Sequence, residues 1–190
     1  MNTRQLKKEQ RRQEILLQGL ELFITKGFKA TQISDIAKRV EMSNGLFFHY
    51  YQNTEKLYLE LVTIGLEATN NITKNTHMPA IDYFEGISKF LLKEINKSSF
   101  TAKMFVLMDQ ASRSLDTPSS VKEVVNQVNT SKKLVKVIER GQSEGSIKPG
   151  NPLTLANAFF SSLSGIAQFR VANKDLELPH PSWLVDIIRK

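Results

Sequence analysis

Between Thr31 and Tyr51 the chain reads Thr-Gln-Ile-Ser-Asp-Ile-Ala-Lys-Arg-Val-Glu-Met-Ser-Asn-Gly-Leu-Phe-Phe-His-Tyr-Tyr. The residues able to do chemistry here are Asn44, Gly45, Leu46 and His49. An amide, a bare backbone, an alkyl group and an imidazole suit recognition better than bond-making. Two short helices joined by a three-residue turn are the helix-turn-helix layout, whose second helix enters a DNA major groove. The first exposed residues of that helix reach base edges. Ala37 is small where the two helices would cross, and Met42 can plug the core from the turn. Ser43 can cap the second helix, turning the positive end of its dipole toward phosphate. Basic residues flank the segment: Arg4, Lys7, Lys8, Arg11, Arg12, Lys38 and Arg39. The same layout could be an inert packing unit. The small, mixed face of Asn44, Gly45, Leu46 and His49 argues instead for DNA.

These residues need a helical frame, and the apolar spacing predicts one. A first helix over about 8–26 carries Leu16, Leu20 and Phe23 on one stripe, with Ile15 and Leu22 beside it. Lys26 and Gly27 end it, and Phe28 follows as a core plug. A second helix starts after Thr31, whose hydroxyl can cap it, and buries Ile33, Ile36, Ala37 and Val40. A third spans about 44–50. Asn53 caps a fourth, striped by Leu57, Leu61, Ile64, Ala68 and Ile72. Further helices are expected at about 80–97, 100–115, 119–144, 152–173 and 182–190, between breaks rich in Pro, Gly or small polar residues. The expected fold is all-α, with about nine helices. A three-helix DNA-binding domain over 1–52 (helix-turn-helix about 32–51) precedes a helical bundle over 53–190, and the fourth helix joins the two.

Composition narrows the function classes. The 190 residues are 41% hydrophobic and 24% charged, ordinary for a folded domain. There is no cysteine, which excludes disulfides, cysteine-based zinc sites and thiol redox chemistry. Twenty-six Lys+Arg against 19 Asp+Glu leave a net charge of +7, which favours a polyanion. No apolar run approaches a membrane span, and Met1 to Gln13 has no signal-peptide pattern, so a cytoplasmic location is expected. No phosphate-cradling glycine loop or nucleophile constellation is visible. His49, His77 and His180 are scattered without metal-ligand spacing. No enzyme activity, metal or cofactor is expected. The alternative classes are a membrane-surface binder built on the basic first helix, and a ligand-binding bundle without operator specificity. Against the first, the apolar stripe of that helix is needed inside the helix-turn-helix.

Residues 15–57 resemble the DNA-binding domain of the TetR/AcrR family of bacterial transcriptional regulators. The resemblance rests on Ile15-Leu16, Leu20-Glu21-Leu22-Phe23, Lys26-Gly27-Phe28, Ala30-Thr31, Ile33, Asp35-Ile36-Ala37, Ser43, Gly45, Phe48-His49-Tyr50-Tyr51, Glu55 and Leu57. It departs from the family pattern at Asn44, where Lys is common, and at Leu46, where Thr is. It departs also at Phe48, where a Tyr hydroxyl commonly meets phosphate, and at Thr54, where Lys is common. The resemblance implies a repressor acting as a homodimer on a pseudo-palindromic operator, with a small-molecule effector and no membrane partner. Thr31, Gln32, Thr54 and Lys56 would clamp phosphates, which positions a protein without reading sequence. Asn44 would pair with adenine or a phosphate, Gly45 allows close approach, and Leu46 would meet a thymine methyl. Phe48 stands on the same face without a phosphate-binding hydroxyl. Phe47 is either exposed or, as we favour, core. His49 would donate to phosphate or simply end the helix. The basic arm at 4–12 either reaches the DNA or is a frayed terminus.

The resemblance also implies that the last two long helices make a four-helix interface with a second copy. In 152–173, Leu155, Phe159, Leu163, Ile166 and Phe169 form one stripe, beside small Ala158, Ser161, Ser162 and Gly165. Leu184, Ile187 and Ile188 add an apolar edge. The interface expected is Leu155, Phe159, Ser162, Gly165, Ile166, Leu184 and Ile188; the alternative is packing within one chain. For the effector pocket the candidates are Phe84, Phe90, Phe100, Met104, Phe105 and Met108, an adaptable lining that could equally be core. Asp109 would meet a cationic group if buried, or pair with Arg113 one turn on.

Overall fold

The computed structural model describes residues 2–72, 74 and 78–190; His77 lies outside them. Among the described residues the chain is helical throughout. The helices are α1 (Thr3–Lys26), α2 (Ile33–Arg39), α3 (Asn44–Phe47), α4 (Thr54–Ile72) and α5 (Ala80–Lys97), then α6 (Ser99–Arg113), α7 (Ser119–Val125), α8 (Thr130–Ser143), α9 (Pro152–Ala172) and α10 (Pro181–Val185). They form two compact units. One is the chain up to Leu66 with Val106–Gln127; the other is Glu67–Phe105 with Val128–Lys190.

In the first unit the expected stripe of α1 is core: Ile15, Leu16, Leu20, Leu22 and Phe23 are buried. Gly19 lets α4 come close, since a Cβ there would stand 2.6 Å from Leu57 Cδ2. Phe23, Phe28 and Tyr58 stack, with ring centroids 4.7 to 6.1 Å apart, so Phe28 does plug this core. α1 begins five residues earlier than the periodicity predicts. Asn2 accepts from the Arg4 amide, and its own amide donates to Gln5 Oε1, a polar cap that an apolar stripe cannot signal. Gly27, at φ 82, ends α1 in a backbone conformation that side-chain-bearing residues avoid. α7 joins this unit through Ser120, whose hydroxyl donates to Glu55 at 2.5 Å.

In the second unit Phe84 packs edge-on against Phe159 at 4.8 Å, among Leu134, Ile138, Leu163, Leu184 and Ile188. The helix expected over 119–144 is broken. Asn126 closes α7 and Asn129 precedes α8; such residues compete with the helical backbone for its hydrogen bonds. The helix expected over 182–190 stops at Val185. Beyond it the chain turns and pairs with the loop after α8: the Lys148 amide donates to the Ile188 carbonyl, and the Lys190 amide to that of Ser146. α9 starts as Pro at its first position dictates, with Asn151 Oδ1 accepting from the Thr154 amide at 3.0 Å.

Gly141 is the tightest point of this unit. A Cβ there would meet Ile147 Cδ1 at 2.5 Å and Ala80 Cβ at 2.8 Å, and the alanine cannot rotate away. Gly141→Ala is therefore expected to lower the unfolding free energy by about 1–3 kcal/mol, despite its better helix propensity. Urea denaturation checks this; an unchanged midpoint would mean that α8 and its neighbours separate freely.

Candidate functional site

The reading helix is short and firmly seated. Ser43 Oγ accepts from the Leu46 amide at 3.2 Å, and the Tyr51 amide donates to the Phe47 carbonyl at 3.1 Å. Phe47 is wholly buried, so it is core. The turn from α2 puts Glu41 at φ 50, a left-handed conformation costing a side-chain-bearing residue about 1–2 kcal/mol. In return the Met42 amide reaches the Ala37 carbonyl at 2.9 Å, which sets the angle between the two helices. With Phe47 inward, Asn44, Gly45, Leu46, Phe48 and His49 all face solvent. Phe48 is 53% exposed, a large ring on a polar face.

The clamp residues divide. Gln32 is exposed at the start of α2, and Lys56 is exposed in the first turn of α4, where Asn53 Oδ1 accepts its amide at 2.8 Å. Thr54 is half-buried beside it. Thr31 is not available to DNA. It is buried, its hydroxyl donates to the Gly27 carbonyl at 2.8 Å, and its amide donates to the Phe28 carbonyl. The hydroxyl therefore ties α2 back to the end of α1 and does not cap α2 either. Lys26 Nζ meets Asp35 Oδ2 at 3.0 Å across the same corner. That bond, with the Gln32 amide, holds the Asp35 carboxyl below the usual carboxylate range. The pairing is present at neutral pH and is lost as pH falls through that lowered value.

The basic flank divides as well. Arg12 Nη2 contacts Glu60 at 2.6 Å, beside the buried phenol of Tyr51. Burial first, then Glu60, pushes that phenol up, with Arg12 opposing. Arg11 donates to the Val40 carbonyl at 3.0 Å, a cation on the last carbonyls of α2. Both arginines thus brace the helix-turn-helix. Arg4, Lys7 and Lys8 remain exposed. They are helical, not a loose arm, and with Leu46, His49 and Tyr50 they line one groove. The basic face of α1 therefore continues the reading face of α3.

The second-region candidates scatter. Phe84 and Met104 are buried, while Phe100, Phe105 and Met108 are half-buried. Asp109 pairs with Arg113 at 2.8 Å, the surface alternative. Of the expected interface residues, Phe159, Leu184 and Ile188 lie in the core of the second unit and offer no surface to a partner. Leu155, Ser162, Gly165 and Ile166 are half-buried, Leu155 and Ile166 packed against that same core. On α9 and α10 the large exposed apolar groups are Leu153, Phe169 and Trp183, and Trp183 carried no sequence signal. Among the described residues, no cluster of His, Asp and Glu could hold a metal, and no helix is long and apolar enough to cross a membrane.

A family model of bacterial regulatory proteins of the tetR family matches residues 15–61. The chain is 26% identical over 147 residues to the HTH-type transcriptional regulator YhgD of Bacillus subtilis, covering 75% of this chain and 74% of that protein. It is 21% identical over 158 residues to the HTH-type transcriptional repressor KstR2 of Mycolicibacterium smegmatis, covering 83% and 77%. Its fold is similar to the ketosteroid transcriptional regulator KstR2 of Mycobacterium tuberculosis, with a TM-score of 0.76 at 18% identity over 95% of each chain. It is similar too to AibR, solved with isovaleryl coenzyme A and operator DNA, with a TM-score of 0.65 at 15% identity over 93% and 94%. With a capped reading helix seated on Phe47 and a matching sequence over residues 15–61, the chain carries a DNA-binding helix-turn-helix domain of the TetR family.

Proposed function

We propose that the chain is a ligand-responsive repressor acting as a homodimer on a pseudo-palindromic operator. The observation that carries the reading is the surface of α9. Ala156, Phe159, Leu163 and Ala167 face the core, yet no residue from Pro152 to Phe169 is charged. A helix with water on its outer face normally carries charge there. Ala158, Ser161, Ser162 and Gly165 instead make a surface that a second helix can approach closely. Phe169, 70% exposed, closes one end of it. A second copy is the natural partner, because a two-fold interface is built from one patch used twice. Two reading helices then meet two half-sites, with Gln32, Thr54 and Lys56 on phosphates and Asn44, Gly45 and Leu46 toward bases.

The repressor sign follows the relative named as a repressor. The ligand response follows AibR, solved with both an acyl-coenzyme A and operator DNA. An effector held in the second unit would favour a state with wrongly spaced reading heads. By linkage, effector and operator would weaken each other's binding by the same factor. The division into a DNA-binding part over 1–52 and an effector and dimerisation part over 53–190 belongs to the same proposal.

The test is to sequence genomic fragments retained by the purified protein at physiological salt. Enrichment of a few inverted repeats is expected. Uniform retention, or none, would overturn the reading.

A further inference from the structure

The reading head holds two large apolar side chains in solvent: Leu46 is 43% exposed and Phe48 53%. A lone apolar group on a surface is ordinary. These two stand two residues apart, on the element that must meet DNA. Phe48 closes α3 in helical conformation, at φ -62 and ψ -17, so helical spacing holds from Asn44 through it. With Phe47 directed into the core, that spacing centres the outer face on Gly45 and His49. Phe48 flanks this centre on the side of Asn44, four residues back. Leu46 flanks it on the other side, where it borders the basic groove with Lys7, Lys8 and His49. A Cβ on Gly45 would find only Ser43 Oγ, at 3.9 Å, so the protein leaves the space over that glycine open.

Neither side chain has an atom that hydrogen-bonds. The major groove offers donors and acceptors on all four bases, but one apolar group, the C5-methyl of thymine. Phosphates and polar base edges would lose water against Leu46 and Phe48 and gain no partner. A methyl loses nothing there and gains burial. Asn44 suits the same base pairs, because an amide pairs with N6 and N7 of adenine, and the thymine opposite shows its methyl in the same groove. Phe48 follows Asn44 by one turn on that side. A 5-methylcytosine carries the same methyl at the same place in the groove, where unmodified cytosine has a hydrogen.

We infer that Leu46 and Phe48 together read C5-methyl groups, so that each half-site is selected by where its major groove carries a methyl, on thymine or on 5-methylcytosine. The inference rests on the operator-binding reading above and names the chemical feature of the DNA that the head selects.

The test uses the full chain and synthetic duplexes. Sequences retained from a random duplex pool are remade with dU for dT, one position at a time. That change strips the methyl and keeps the hydrogen-bonding edge of the base. At one or more positions in each half-site, dU should weaken binding roughly three- to fivefold, the scale of one buried CH2. Made in both half-sites, it should weaken binding roughly tenfold or more, since distant sites add in free energy. At such a position the T·A pair is next exchanged for C·G. Methylating that cytosine should then strengthen binding roughly threefold or more, for the same reason. Leu46→Ala with Phe48→Ala should bind dT and dU duplexes within about twofold of each other, the methyl having lost its apolar partners. The thermal midpoint shows whether that variant is folded, and the dU comparison needs no variant at all. Harmless dU at every position, no gain from cytosine methylation, or a folded double variant that keeps the full dU penalty would overturn the inference and leave the operator reading standing. A pool retained without sequence preference would overturn both.

Discussion

Replacing Phe169 and Trp183 together by glutamate will leave the chain monomeric and weaken operator binding by about 10²–10⁴-fold, the range over which linked sites exceed a single one. Both side chains are mostly in solvent within one chain, at 70% and 66% exposure, so neither change removes core packing. The monomer should keep its helical signal and its thermal midpoint. In a two-fold interface each substitution appears twice, so four carboxylates would enter one apolar patch. Burying unpaired charge is costly enough to abolish association outright. A chain with one reading helix then holds one half-site and forfeits the second. A subtler variant separates interface from fold. Gly165 has open space around its Cβ position, so Gly165→Trp is accommodated in the monomer but would collide with a facing helix. Sedimentation and operator titration check both variants. A dimer undisturbed by either would place the interface elsewhere and leave the uncharged face of α9 without explanation.

The reading head was largely legible in the sequence, whereas the second unit was not, and α9 shows why. In α1 and α2 one face is apolar and the other charged, so periodicity alone identifies Leu16, Leu20, Phe23, Ile36 and Ala37 as buried. α9 has apolar or small residues on every side, and the stripe that period selects there, Leu155, Phe159, Leu163, Ile166 and Phe169, runs from the core out to an exposed ring. Phe159 and Phe169 look alike in the sequence, yet one is wholly buried and the other mostly exposed. Thr31 fails for the opposite reason. The family resemblance points its hydroxyl toward DNA, and a carbonyl four residues back takes it instead.

Asn44→Ala should cost operator affinity about 1–3 kcal/mol per half-site, hence about 2–6 kcal/mol in the dimer, while barely changing affinity for random DNA. Asn44 opens α3 with its side chain in solvent, and the Ser43 cap survives the change, so the reading helix keeps its seat on Phe47. What is removed is an amide able to pair with a base edge. The exposed lysines of α1 supply the contrast. Lys7 and Lys8 line the groove beside His49 but lie on a different helix from the reading face. Lys7→Gln with Lys8→Gln should weaken operator and random DNA alike. It should also flatten the salt dependence by about 0.9 in log–log slope for each phosphate that is no longer neutralised. Titrating both variants against both DNAs at several salt concentrations separates reading from clamping. Should Asn44→Ala weaken both DNAs equally and flatten the salt slope, its amide contacts phosphate, and base reading would pass to Gly45 and Leu46.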